Sequence, residues 1–261
     1  MLRRSRIRLT KLIFIMKNKN VKVESFVSKN GNKRRQFLKM SGLAIAGSGL
    51  ILSCSDDDDF TEPTPDPDPN TFDLGGGDLG VLNYAYALEQ LEAEFYTKVV
   101  NGSYWSGAAM EEKQILEDLY NHEVNHREFF KAALNANFDA EVVLPESLEF
   151  DFSSVDFSNR DSVLSTAKLL EDTGVKAYNG AGKLIETAAY LVIAGKIVSV
   201  EARHAAAIRS IIGNDMDDFK LFAGDDIVDP NTGLDGAENP SVIINAAGGF
   251  IVTPFTANQL P

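Results

Sequence analysis

Residues 121–130 read NHEVNHREFF and residues 200–209 read VEARHAAAIR. The chain of 261 residues has three histidines, and two of them stand three residues after a glutamate, as Glu123/His126 and Glu201/His204. With seventeen glutamates in the chain, two such pairs arise by chance on the order of once in a hundred sequences of this composition. Three residues is nearly one helical turn, so in a helix both members of each pair face the same way.

Working outward from these pairs, four segments carry helical periodicity, about Leu79–Val100, Ala108–Asn135, Arg160–Asn179 and Thr187–Ile212. The first aligns Leu82, Tyr86, Glu89, Ala93, Tyr96 and Val100, and the second Leu116, Leu119, Glu123, His126, Phe130 and Ala133. The third aligns Leu164, Ala167, Glu171, Gly174 and Tyr178, and the fourth Leu191, Ala194, Val198, Glu201, His204, Ile208 and Ile211. Each follows the three/four spacing of a core-facing stripe. Each is apolar except near its middle, where it carries a carboxylate. A bundle interior accepts such groups only paired, protonated or coordinated, so something positive is expected between them.

The connections predict how the segments pack. NGSYWSGAA joins the first two and GAGKLIE the last two, both short enough for antiparallel neighbours. Between the second and third lie roughly 25 residues, ANFDAEVVLPESLEFDFSSVDFSN, suited to crossing the length of a bundle. The fold expected is therefore all-α, an antiparallel four-helix bundle with one long crossover between helices two and three. In a hairpin, residues equally far from the turn are level. The midpoint between Glu89 and the Glu123/His126 pair falls near Gly107, in the first loop; that between Glu171 and Glu201/His204 falls near Glu186–Thr187, in the second. Glu89 precedes Tyr96 by seven residues, as Glu171 precedes Tyr178. The two histidines are thus placed as ligands. Glu92, one turn from Glu89, competes for its place, and the repeated tyrosine spacing favours Glu89. Glu94, Glu117 and Glu128 read as solvated charges, and His122 as an exposed residue off the stripe.

This constellation resembles the ferritin-like di-metal carboxylate proteins. LNYAYALEQLEAEFY and SVEARHAAAIR are most similar to the bacterial and plant ferritin-like family that includes desiccation-related proteins, over about Phe72–Gly213. The resemblance implies terminal carboxylate ligands at Glu89 and Glu171, bridging carboxylates at Glu123 and Glu201, and one imidazole per metal from His126 and His204. It implies two divalent ions, and oxygen-rich ligation with one imidazole each suits iron or manganese, iron favoured. Four carboxylates balance two divalent charges. Tyr96 and Tyr178 are placed to donate hydrogen bonds to the ligands.

The ends of the chain differ from this body. Residues 1–53 hold thirteen Lys and Arg and one acid, Glu24, leaving 12 basic and 37 acidic residues beyond, a net charge of −25. Phosphate repulsion excludes a nucleic-acid partner for so acidic a body. Residues 1–54 read as an export signal: RRQFLK resembles a twin-arginine motif and ILSC a lipobox that would place a lipid on Cys54. Met16 offers a second start. The apolar run Met40–Ser53 is too short and glycine-rich to span a bilayer. With Cys54 lipidated, no thiol remains for a disulfide or a metal. Residues 55–78, SDDDDFTEPTPDPDPNTFDLGGGD, form an acidic, proline-stiffened tether, its acidic start resembling a surface-export signal of Bacteroidetes-type lipoproteins. The bundle occupies 79–213, and 214–261 is expected to be a loop-rich extension whose apolar end packs on the bundle or a partner subunit. Asp225, Asp226, Asp229 and Asp235 lack the spacing of a calcium loop.

The expected location is the cell envelope, with membrane contact only through the lipid. The expected function is a reaction of the metal pair with dioxygen or peroxide, in metal oxidation or in oxidative or desiccation stress protection. The alternative is a non-catalytic envelope stress or scaffold protein that keeps the fold with no obligatory metal. A homo-oligomer is compatible with either; the lipid and the long tail argue against a storage cage.

Overall fold

A tight turn leads into the first helix. Gly75 (φ 81°) and Gly77 (φ 59°) take left-handed conformations that side chains disfavour, and the Asp73 carboxylate accepts the Gly75 N–H at 2.7 Å. The computed structural model describes residues 71–212, 222 and 224–261. Helix α1 (Gly77–Asn101) stops at the extended Gly102 and is followed by the short α2 (Ser103–Gly107) and by α3 (Met110–Asn137). A crossover, residues 138–159, includes a 3₁₀ turn at Ala140–Val142 and ends at Asn159, whose side chain caps α4 (Arg160–Ala181) by accepting the Ser162 N–H. A second 3₁₀ turn, Gly182–Leu184, leads to α5 (Ala188–Ile212). The tail carries α6 (Pro240–Ala247), which starts with proline at a position where its missing N–H costs nothing.

Helices α1 and α5 begin at one end of the bundle, where α3 and α4 finish. At the other end Arg160, opening α4, donates to Glu112 in the first turn of α3 at 2.7 Å and to the Ile211 carbonyl at the close of α5. Helix α3 has 28 residues, about 40 Å at the helical rise, and the crossover returns the chain over that distance. The chain is an all-helical bundle, the described residues adding one two-stranded sheet, β1 (Phe72–Asp73) parallel to β2 (Phe255–Thr256). No helix among the described residues is long and apolar enough to cross a membrane.

The amphipathic pattern fails for α1, which is buried almost all the way round. Crossover and tail cover the side that a bundle alone would leave wet. Asn83 donates to the carbonyls of Leu74 and Val142 and accepts the Leu144 N–H; Gln90 donates to the Pro145 carbonyl and accepts the Leu148 N–H. These buried amides satisfy crossover backbone that has no regular partner of its own. Phe95 meets Phe152 and Phe157, each at 5.9 Å between ring centres, and Phe250 of the tail joins Phe152 at 5.5 Å.

The tail lies on the bundle through buried Ile243 and Ala247 and through the bridge of Phe150 to Ile251. Glu238 approaches α4 so closely that a Cβ at Gly180 would sit 1.6 Å from its carbonyl oxygen. Arg209, 1% exposed, joins Asp172 on α4 (2.6 Å) to Asp226 of the tail (2.5 Å).

One stripe differs from its expectation. Leu191 is 47% exposed, whereas Tyr190 and Ile193 turn towards the bundle's apolar interior and Ile197 is buried. At about 3.6 residues per turn, Tyr190 is close to three whole turns before Glu201, and Leu191 is not. The export signal, Cys54 and residues 55–70 of the tether lie outside the described residues, as do 213–221 and 223.

Candidate metal centre

Halfway along the bundle each long helix turns a carboxylate inward. Glu89 comes from α1, Glu123 from α3, Glu171 from α4 and Glu201 from α5, all 0% exposed. The helical phase of α3 and α5 adds His126 and His204 one turn on, because the third residue after each glutamate returns to the same face. The six side chains form two groups that share Glu123 and Glu201. Glu89, Glu123, His126 and Glu201 make one; Glu123, Glu171, Glu201 and His204 make the other. Within each group, one ligand atom per residue lies within 4.8 Å of all the rest. His126 Nδ1 is 3.0 Å from Glu201 Oε1, 3.3 Å from Glu123 Oε2 and 3.4 Å from Glu89 Oε2. His204 Nδ1 is 2.7 Å from Glu123 Oε1, 3.4 Å from Glu171 Oε2 and 3.6 Å from Glu201 Oε2.

Two tyrosines orient the outer carboxylates across the bundle. Tyr96 on α1 donates to Glu171 Oε1 on α4 at 2.6 Å, and Tyr178 on α4 donates to Glu89 Oε1 on α1. Each tyrosine therefore serves the glutamate of the other hairpin. The remaining oxygens are free to point inward. Glu89 Oε2, Glu123 Oε1, Glu171 Oε2, both oxygens of Glu201 and His204 Nδ1 are buried without a hydrogen-bond partner. Even the 2.7 Å approach of His204 to Glu123 is too far out of line for a hydrogen bond. Six orphaned donor-set atoms in one place is a costly arrangement for protein alone. Lone pairs converging on two points fit a pair of cations.

The charges lead to the same place. Burial first, and then the charge of Glu201, push Glu123 well above the usual carboxylate range. Burial lifts Glu171 to about 7 although His204 pulls it down. Burial also opposes ionisation of Glu201, but the close imidazoles of His126 and His204 overcome it and hold Glu201 at about 2. Desolvation works against both imidazolium ions; the carboxylates around them win and raise His126 and His204 well above the ordinary histidine value. Without metal the centre therefore holds protons, on the imidazoles and on part of its carboxylates.

Two participants had a weak signal in the sequence. Glu92, 3% exposed, is buried at the centre alongside Glu89 rather than in place of it. Burial, then the charges of Glu123, Glu201, Glu171 and Glu89, drive it towards the neutral acid. Gly174 on α4 makes room, since a Cβ there would stand 3.2 Å from Glu92 Oε1. His122 is exposed, as its position off the stripe predicts, yet its Nδ1 lies 2.9 Å from His204 Nε2. Since Nδ1 of His204 faces the carboxylates, Nε2–H is the donor and His122 the acceptor. Desolvation, then the charges of His204 and His126, lower the His122 pKa and favour that neutral acceptor. Its signal was the spacing of four from His126, which puts both on one side of α3.

The other acidic candidates stay outside. Glu94 pairs with Lys98 at 3.2 Å, and Glu117 and Glu128 are exposed. Among the described residues, Asp225, Asp226, Asp229 and Asp235 join no ligand group.

Comparison with known families finds a match to the model described as a ferritin-like domain over residues 77–214, more than half of the chain. No curated protein matches.

Proposed function

The chain belongs to the ferritin-like domain family, and from that premise we propose that it holds two iron or manganese ions, iron preferred, in the cell envelope. Its activity there is a reaction with dioxygen or peroxide, in metal oxidation or in protection from oxidative or desiccation stress. One observation carries the metal assignment: two ligand groups share Glu123 and Glu201, and six of their buried atoms have no hydrogen-bond partner. When bound, the metal pair supplies the electrons that reduce the oxidant.

The residues have separate tasks in this reading. Glu123 and Glu201, common to both ligand groups, would hold both ions. Glu89 and Glu171 close the outer sides, each held by a tyrosine hydroxyl on its other oxygen. His126 and His204 contribute Nδ1, and His122 fixes the ring of His204. Four ionised carboxylates neutralise two divalent charges, and Glu92 as a neutral acid keeps a proton beside the centre without upsetting that balance. The four carboxylates are shut off from solvent, whereas the His126 side chain is 13% exposed and forms a more open edge. Support for envelope export comes from the twin-arginine-like RRQFLK, the lipobox-like ILSC at Cys54 and the acidic tether.

Reconstitution of the purified chain with Fe(II) or Mn(II), followed by elemental analysis, tests this. Two equivalents are expected, with loss of both in a His126→Ala/His204→Ala variant. Fewer than one equivalent in the unaltered chain refutes it. The non-catalytic alternative rests on the centre's ability to close by imidazolium–carboxylate pairing alone. It is distinguished by a metal-loaded chain that consumes neither dioxygen nor peroxide.

A further inference from the structure

A small cavity lies between α1, α4 and the tail helix α6. Leu88 and Leu91 of α1, Leu170 of α4 and Ala247 of α6 give it apolar walls, with Glu92 and Gly174 on its inner side. Leu169, 53% exposed, and the exposed Ala246 mark its outer side. The space open to the centre of a water-sized sphere is about 20 Å³, against about 10–15 Å³ needed for one water. It takes one very small molecule and nothing larger.

The inner side adjoins the candidate metal centre through Gly174. A Cβ there would stand 3.2 Å from Glu92 Oε1 and 3.7 Å from Glu201 Oε2. The missing side chain therefore keeps α4 from walling the cavity off from a carboxylate common to both ligand groups. Glycine within a helix costs about 0.5–1 kcal/mol relative to alanine, and here that cost leaves clearance beside the centre.

The walls decide what can enter. Of the two polar side chains in the lining, Thr173 spends its hydroxyl on the Leu169 carbonyl at 2.7 Å, which leaves Glu92. A buried water wants about two to four polar partners. Hydrogen peroxide, with two donors and two acceptor oxygens, would likewise lose its hydration without replacement, and an ion more so. Dioxygen has no donor to satisfy and matches the walls in size and polarity. The His126 edge, 13% exposed, is the polar approach on another side.

We propose that this cavity is the port by which dioxygen, rather than peroxide, reaches the centre, passing beneath α6 and over Gly174. The port names the oxidant of the proposed function and rests on that reading, whereas occupancy of the cavity by a small apolar gas needs no metal.

Methyl NMR of the full chain stripped of metal, under xenon and then under dioxygen pressure, tests the cavity itself. Saturable xenon shifts and the strongest relaxation by dioxygen are expected at Leu88, Leu91 and Leu170. Ala246→Trp covers the mouth from an exposed position and should fold normally; Ala247→Leu fills the space from α6. Both should lose these signals. In the iron-loaded chain both should slow dioxygen consumption about tenfold, as for a barrier higher by about 1.4 kcal/mol, with metal content and peroxide consumption unchanged. Absence of a saturable xenon site, undiminished signals in Ala246→Trp, or equal slowing with both oxidants overturns the proposal. Failure to load iron overturns the metal assignment and the port with it, whereas missing xenon binding in a chain that loads iron overturns the port alone.

Discussion

Raising the pH of the metal-free chain should weaken the fold, and Glu171 sets the scale. Its folded pKa stands at about 7 against an ordinary 4.5 because burial penalises the charge. A folded value above the unfolded one means that the native protein keeps a proton the unfolded chain has released. The stabilisation is complete below pH 4.5 and is lost as pH rises towards 7. At 1.36 kcal/mol per pH unit this single group accounts for about 3 kcal/mol. Glu123 and Glu92 are raised in the same direction. The imidazoles of His126 and His204, also raised, contribute stability that falls away above pH 6.5. Glu201 acts oppositely, but its window, between about 2 and 4.5, lies below the range of interest. Three kcal/mol corresponds to a fall of roughly 6–12 °C in the melting temperature of a domain this size. Urea unfolding of the metal-free chain, followed by circular dichroism at pH 5, 6, 7 and 8, measures the slope. Saturating Mn(II) should abolish or reverse it, because the cations take the place of the protons and bind deprotonated ligands best. A metal-free chain whose stability is flat or rises from pH 5 to 7 would refute the buried-carboxylate account of the centre.

Further outcomes follow from single contacts. Glu201→Ala removes a ligand common to both groups, so reconstituted metal should fall from two equivalents to one or none by elemental analysis. His122→Ala leaves all six ligands in place but removes the acceptor for His204 Nε2–H; chelator competition should show the weaker of the two metals held about tenfold less tightly. Tyr96→Phe strips Glu171 Oε1 of its donor and should cost about 1–3 kcal/mol in urea unfolding, with helicity retained. Arg209→Ala removes the cation shared by Asp172 and Asp226, leaving Asp226 with Lys168 (3.1 Å), and should cost about 1–3 kcal/mol by the same assay.

The convergence of the six candidate side chains was readable because it is periodic. Glu123 and His126, or Glu201 and His204, share a face by helix geometry alone, and loop length makes each pair level with Glu89 or Glu171. Both facts are local to a hairpin, so no tertiary information is needed to infer them. The same reasoning misplaced Leu191, because a three/four alternation carried ten residues from Glu201 drifts off the true helical repeat. It also made Glu89 and Glu92 rivals, whereas a nearly all-buried α1 turns both towards the centre.

The sequence by itself determined the four helices, their pairing and the six inward side chains, since these depend on spacing within about thirty-five residues of chain. Only the tertiary structure decided that Tyr96 serves Glu171 and Tyr178 serves Glu89, as 75 and 89 residues separate the partners. It alone placed His122 against His204 and Asn83 and Gln90 against the crossover. Those contacts are set by which surfaces meet when separate hairpins, crossover and tail pack together, and a helical repeat carries no information about that meeting.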